Sequence, residues 1–384
     1  MISLTGRIIT PTGILDGAIC IKDGIITKVG PELPAGVKKN DLGNAFIVPG
    51  FIDLHMHGLH RFLIDNSPED LAEICRILPR YGVTGFLPTV APLPKGEDSG
   101  FLKTLANVHS EGAAILGFHL EGPFLKLTGA LPPEALGEAD PDRVSALIEA
   151  AKPYPAIFSI SPDFENIMDL IPIMAANNTP VFMTHTAANV EQTQAAIEAG
   201  VRHATHFYDV FPCPAETDPG VRPCGAVEAI LADERVSVDF ILDGVHVNPV
   251  AVRMALACKS PDGVCLITDS NVGAGLPPGR YIFGRSGEIE MAFEGGPARL
   301  TENNNMPGGL AGSGLTMDRA LRNAVSMSGV DLVQAIRMVS SNPAKVIGVE
   351  DRKGKIQKGY DADLVVLDEQ LNVKQTWIGG ERHF

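Results

Sequence analysis

Between about residues 50 and 347 the chain alternates short apolar, strand-like runs with helical patterns. The strand-like runs fall at 51–55, 84–89, 114–121, 156–161, 181–185, 203–206, 236–244 and 264–269, eight in all. Helical patterns follow most of them, as in PEDLAEICRILPRYG, DPDRVSALIEAAK, DFENIMDLIPIMAAN, NVEQTQAAIEAG and NPVAVRMALACK. Strands joined this way are buried on both faces and pair in parallel. Eight such units predict a closed (β/α)8 barrel. A doubly wound sheet is the competing fold, but no G-x-G-x-x-G follows any of the strand runs. The ends are different. Residues 1–48 and 348–384 are β-rich and broken by Gly and Asp, and each is too short for a core of its own. We therefore expect one small β-sandwich domain built from both termini, with the barrel, residues 49–347, inserted between them. The Gly-rich stretch 296–315 reads as a long loop near a site.

Charge and cysteine usage narrow the function. The chain carries 31 Lys and Arg against 46 Asp and Glu, a formal −15, which argues against a nucleic-acid partner or an anionic membrane surface. No apolar run approaches the roughly 18–20 residues of a membrane span, and the N-terminus has no apolar signal core. A cytoplasmic enzyme is expected. The six cysteines form no C-x-x-C pair, and Cys75, Cys258 and Cys265 sit in apolar contexts, so buried reduced thiols are expected.

Histidines and carboxylates cluster at the C-terminal ends of the strand runs. His55 and His57 form H-x-H at the end of the first, Glu121 ends the third, His185 the fifth, His206 the sixth and Asp269 the eighth. That end of a barrel is where its active site lies. Residues i and i+2 of a strand share a face, so His55 and His57 can reach one ion. A single strand histidine is ordinarily a packed core residue; six such residues at the same end of five strands point to a metal site. Imidazole with carboxylate suits zinc first, with iron, manganese, cobalt or nickel as alternatives. A divalent ion there would lower the pKa of water to roughly 7 and polarise an amide carbonyl. Asp269 is the candidate to take the water proton and pass it to the leaving nitrogen.

PGFIDLHMHG, GFHLEGPF, the Thr184–His185 and Thr205–His206 pairs, DGVHV and LITDS resemble the amidohydrolase superfamily. Within it, HLEGPF and GGLAGSGLTM are similar to N-acetylglucosamine-6-phosphate deacetylases. The resemblance implies one or two divalent metals per subunit. Glu121, His185 and His206 match the family's firmest metal site; His55, His57 and Asp269 would complete a second, with Glu121 bridging. It also implies substrate contacts at Ala130, Asp209, Val210, His246, Leu310, Ala311 and Gly312, an N-acyl amino sugar as substrate, and a homodimer. His119 reads as packing behind the site, His60 as a residue of the mouth, and His203 as having no special role.

The chain departs from the family at the sugar-phosphate end. Leu131 replaces a histidine, Asp209 stands where an amide would bind the ligand, and Thr217 falls where a phosphate-gripping arginine is expected. Arg222, a few residues on, is the candidate replacement. An unphosphorylated N-acyl sugar or another N-acyl amine therefore stands beside the 6-phosphate as substrate. A non-catalytic scaffold of the same fold is the less favoured reading, since no ligand is missing. No lysine ends the fourth strand run, and no P-loop or G-x-S-x-G is present.

Overall fold

A computed structural model describes residues 1–33, 37–302 and 306–384. Eight parallel strands form the barrel: Phe51–Met56, Val83–Val90, Phe118–Glu121, Ala156–Ile160, Val181–Met183, Val201–Ala204, Ser237–Ile241 and Val264–Ile267. They are hereafter the first to eighth barrel strands. Each pairs with its sequence neighbour. The ring closes between the first and eighth through side chain and backbone together. Asp53 accepts the Thr268 hydroxyl at 2.6 Å and the Thr268 N–H at 3.2 Å, and Asp269 N–H donates to His55 O at 2.9 Å. Phe51, Phe86, Phe118, Phe158, Phe182 and Phe240 come from six of the strands and are fully buried. Burying a phenylalanine contributes roughly 1.5–3 kcal/mol, so these rings are a main source of the barrel's cohesion.

The flanking helices begin where local chemistry says they should. Ser67 caps Pro68–Ile77, Asp140 caps Pro141–Ala151 and Asn248 caps Pro249–Lys259, each followed by proline at the first helical position. Asn189 with Gln192 and Asp331 with Gln334 form reciprocal capping boxes. The helix expected over 163–177 is broken into short turns, with Ile171–Met174 the α-helical piece. Pro172 has no N–H to give a preceding turn, so a helix can start but not run through it. Asp98–Ala106, Ala226–Ala232 and Met317–Met327 are helices that the periodicity did not single out. No described helix is long and apolar enough to cross a membrane.

Strands from both termini make one seven-stranded sheet. Ile2–Thr10, Gly13–Lys22, Ile25–Gly30 and Asp41–Pro49 come from the N-terminus; Leu364–Leu367, Val373–Ile378 and Glu381–Arg382 come from the C-terminus. The sheet rolls over a separate core that includes Leu4, Ile8, Ile19, Ile47, Leu364 and Trp377. Its far side is closed by Ile26 N–H to Tyr360 O and Gly359 N–H to Ile26 O, both 2.8 Å.

Two expectations change. Part of 296–315 is strand rather than loop: Pro297–Leu300 and Leu310–Ser313 pair antiparallel, in a four-stranded sheet completed by Gly279–Ile282 and Glu288–Met291. Residues 303–305 of that stretch lie outside the described residues. The second concerns cysteine: Cys20, Cys75 and Cys265 are buried, whereas Cys213, Cys224 and Cys258 are exposed, all six being free thiols. Cys258 lies near the end of an amphipathic helix and faces outward.

Candidate metal centre and pocket

Glu121, the last residue of the third barrel strand, sits among four imidazoles. Its Oε1 lies 2.9 Å from His206 Nε2 and 3.2 Å from His185 Nε2; its Oε2 lies 3.2 Å from His57 Nε2 and 3.7 Å from His55 Nε2. Asp269 Oδ1 closes the other side, 3.4 Å from His55 Nε2 and 3.5 Å from His57 Nε2. All six residues are buried. Two overlapping sets, His55–Glu121–His206 and His55–His57–Asp269, each bring ligand atoms within 4.8 Å of one another.

These residues suit divalent ions. The Nε2 atoms of His55 and His57 face each other at 3.2 Å, an approach that two lone pairs resist unless a proton or cation lies between. His185 donates Nδ1–H to Leu127 O at 2.9 Å, which leaves the Nε2 lone pair aimed at the site. Burial alone would pull His57 and His206 down, but the Glu121 carboxylate overrides it and raises both to about 9. Burial drives His185 the other way, below its ordinary value. Burial also opposes ionisation of Glu121, yet His55 and the other imidazoles hold it well below the usual carboxylate range. Asp269 is held low in the same way, burial outweighed by His55 and its neighbours. The cluster is thus a pair of anions waiting among basic nitrogens.

Three of these side chains reach inward because the backbone leaves the β region just past a strand end. His185, His206 and Asp269 have φ of 49°, 32° and 44°. Such conformations cost on the order of 1–3 kcal/mol each and persist only where neighbours enforce them. Ser161 Oγ donates to His185 O at 2.8 Å, and Ser313 N–H donates to Asp269 O at 2.7 Å. A buried polar tier lies beneath the site. In it His119 bonds Leu54 O at 2.9 Å and Ser159 Oγ at 2.5 Å, and His203 donates to Asp239 at 2.8 Å. His203 is therefore a support under His206 rather than a residue without a role.

Above the centre opens a cavity of about 260 Å³. That is near the lower end of ligand pockets, which run to roughly 300–1,000 Å³, and suits a monosaccharide. Ala130, Asp209, Val210, His246, Leu310, Ala311 and Gly312 line it, together with His57, Glu121, His185, His206 and Asp269. His55 lies beneath, fully buried. His246 gives Nδ1–H to Asp243 at 2.7 Å, which leaves Nε2 for a ligand. Although burial lowers it, Asp243 raises His246 overall. Asp209 Oδ2 is buried without a partner among the described residues, and burial raises this carboxyl to about 7 against the pull of His246 and His206. Gly312 has φ +66°, and a Cβ there would meet Asp269 O at 2.6 Å.

Arg222 does not join the pocket. Its guanidinium is exposed and pairs with Glu228 at 2.9 Å, because the chain turns it back onto the helix that starts at Ala226. His60 does not reach the cavity either, being bound to Tyr81 Oη at 2.6 Å. The cavity instead takes residues that the strand-end pattern passed over. Leu63, Asp65 and Asn66 follow the first barrel strand; Phe283, Gly284 and Arg285 belong to the inserted sheet. The alternation of RYIF and EIEM about Gly-Arg-Ser-Gly was the available signal for that hairpin.

The barrel, with histidines and carboxylates gathered at the C-terminal ends of its strands, defines a hydrolase class, and the chain belongs to the amidohydrolase family, which matches residues 46–382. Among sequence relatives, N-acetylgalactosamine-6-phosphate deacetylase of Escherichia coli O157:H7 is 34% identical over 382 residues, covering 98% of this chain and 97% of its own. N-acetylglucosamine-6-phosphate deacetylase of Lysinibacillus sphaericus is 32% identical, covering 93% and 91%. The crystal structure of N-acetyl-D-glucosamine-6-phosphate deacetylase from Mycobacterium smegmatis superposes with a TM-score of 0.89 at 29% identity, covering 100% of both chains.

Proposed function

We propose that the protein is a metal-dependent deacetylase that converts N-acetylglucosamine-6-phosphate and water into glucosamine-6-phosphate and acetate. The observation that carries this reading is the division of the Glu121 carboxylate between two histidine pairs, at the floor of a monosaccharide-sized cavity with Asp269 beside it. His185 and His206 with Glu121 would hold one divalent ion; His55, His57 and Asp269 with the other Glu121 oxygen would hold a second. Bound there, such an ion supplies Lewis acidity toward the amide carbonyl and acidifies water.

The chain's own residues do the rest. Asp269, ionised, takes a proton from the attacking water as the new C–O bond forms. It returns that proton to the amide nitrogen as the C–N bond breaks, so that the amine leaves neutral with acetic acid, which ionises to acetate by giving up a proton to solvent. His246, fixed by Asp243, presents Nε2 to the ligand and orients it. Leu310, Ala311 and Gly312 wall the cavity from the inserted sheet and limit water around the acyl group.

The donor set favours zinc, and metal analysis of the purified protein identifies the ion. The deciding experiment is a deacetylation assay comparing N-acetylglucosamine-6-phosphate, N-acetylgalactosamine-6-phosphate and the unphosphorylated sugars. The galacto epimer is included because the Escherichia coli relative carries that name and matches nearly the whole chain. Light scattering on the same preparation tests the homodimer. Hydrolysis of none of these sugars by metal-loaded protein would overturn the reading.

A further inference from the structure

We propose that Arg285 is the residue that grips the substrate's phosphate and selects phosphorylated over neutral amino sugars. This rests on the deacetylase reading above and goes beyond it, because neither the strand-end pattern nor the family match points to this position. Arg285 is the one lysine or arginine among the described residues lining the cavity. It sits on the Gly284–Ser286 turn of the inserted sheet, the same sheet that brings Leu310–Ser313 to the site. Among the described residues its guanidinium forms no ion pair; Nη2 donates to Pro92 O at 3.2 Å, which fixes the side chain and leaves most of its five donors free.

Elsewhere among the described lining residues no other side chain offers a two-pronged cationic donor. Asp209 Oδ2 is buried without a partner among the described residues and offers no guanidinium-like fork to a phosphate. Arg222 is committed to Glu228 outside the cavity. Asp65, the lining carboxyl that feels the Arg285 charge, accepts the Ala91 N–H at 3.1 Å and forms no ion pair with Arg285 among the described residues. A dianion entering this cavity therefore meets one carboxyl group beside His246 at the Asp209 wall and an open fork at the Arg285 rim. Such forks bind phosphate bidentately, which lysine cannot do. The sugar would lie with its phosphate toward the inserted sheet and its hydroxyls toward Asp209, an acceptor for O–H but not for phosphate.

The test is steady-state kinetics of the metal-loaded protein on N-acetylglucosamine-6-phosphate and on N-acetylglucosamine, with inorganic phosphate as a competitive probe. Arg285→Gln should raise KM for the phosphorylated sugar roughly 10–100-fold and weaken phosphate inhibition by a similar factor. It should leave kcat, and kcat/KM for the neutral sugar, near wild type. Arg285→Lys should recover only part of the loss, and Arg222→Gln should change neither constant. An unchanged KM for the phosphorylated sugar, or an equal loss on both sugars, would overturn the assignment while the deacetylase reading stood. Wild-type protein inactive on these two sugars and on their galacto epimers would overturn that reading and this assignment together.

Discussion

Asp239, buried in the seventh barrel strand, accepts the backbone N–H of His206 at 2.5 Å and so holds that residue in its left-handed conformation. The same carboxylate accepts the Thr205 hydroxyl at 3.0 Å and His203 Nε2–H at 2.8 Å. Asp53 does the matching work across the barrel, taking His55 N–H at 3.3 Å and both donors of Thr268. Two buried carboxylates thus set the backbone beneath the centre without lining the cavity.

Asp239→Ala should lower folding stability by about 3–5 kcal/mol, since three buried donors lose their acceptor at once. Asp239→Asn keeps the shape and should cost less, yet its NH₂ cannot satisfy all three donors. Metal affinity in that variant should fall about 10–100-fold, as for other lost supports of ligand histidines. Denaturant titration and metal-buffered binding measure the two effects. Wild-type metal affinity in Asp239→Asn would mean that His206 is held by packing alone.

Glu121→Gln should strip metal from both histidine pairs, because each carboxylate oxygen serves one of them. His185→Ala should lose metal and activity together through the His185–His206 side, and His57→Ala should deplete only the H-x-H side. Elemental analysis after gel filtration gives the stoichiometry of each variant. Equal metal content in Glu121→Gln and wild type would break the bridging assignment.

In the metal-free protein His57 and His206 sit at about 9, above the ordinary imidazole value of about 6.5. Their pairing with Glu121 therefore stabilises the metal-free fold fully below about pH 6.5, and that stabilisation is lost as pH rises through about 9. Divalent ions must displace these protons. Metal affinity should rise with pH between about 6.5 and 9, and binding at pH 7 should release up to about two protons. Calorimetry in buffers of different ionisation enthalpy reads the release directly; its absence would show that the imidazoles are already neutral.

Asp269→Asn should reduce kcat by roughly 10²–10⁴ with little change in KM, the loss expected of a general acid–base group. An acyl substrate with a better leaving group needs less help from the proton and should suffer less. Near-normal kcat on the natural amide would make Asp269 a ligand only.

Gly312→Ala should act on the same residue from behind. The added Cβ meets Asp269 O at 2.6 Å, in a backbone region costly for any side chain. It should destabilise the fold by about 1–3 kcal/mol and lower kcat more than it raises KM. Unaltered kinetics would show that the hairpin yields without moving Asp269.

The alternation of strand and helix signals and the placing of His55, His57, Glu121, His185, His206 and Asp269 at strand ends are legible in the sequence. They are properties of a few consecutive residues, set by side-chain period. Only the tertiary structure decided that Asp53 would close the barrel onto Thr268, 215 positions away, and that Asp239 would set the turn at His206. It likewise decided that Arg222 would leave the cavity for Glu228 while Arg285 entered it on a sheet inserted after the eighth strand. Strand pairing across a long loop has no local period to announce it, and a charged side chain of that length finds its partner only once the surrounding backbone is in place.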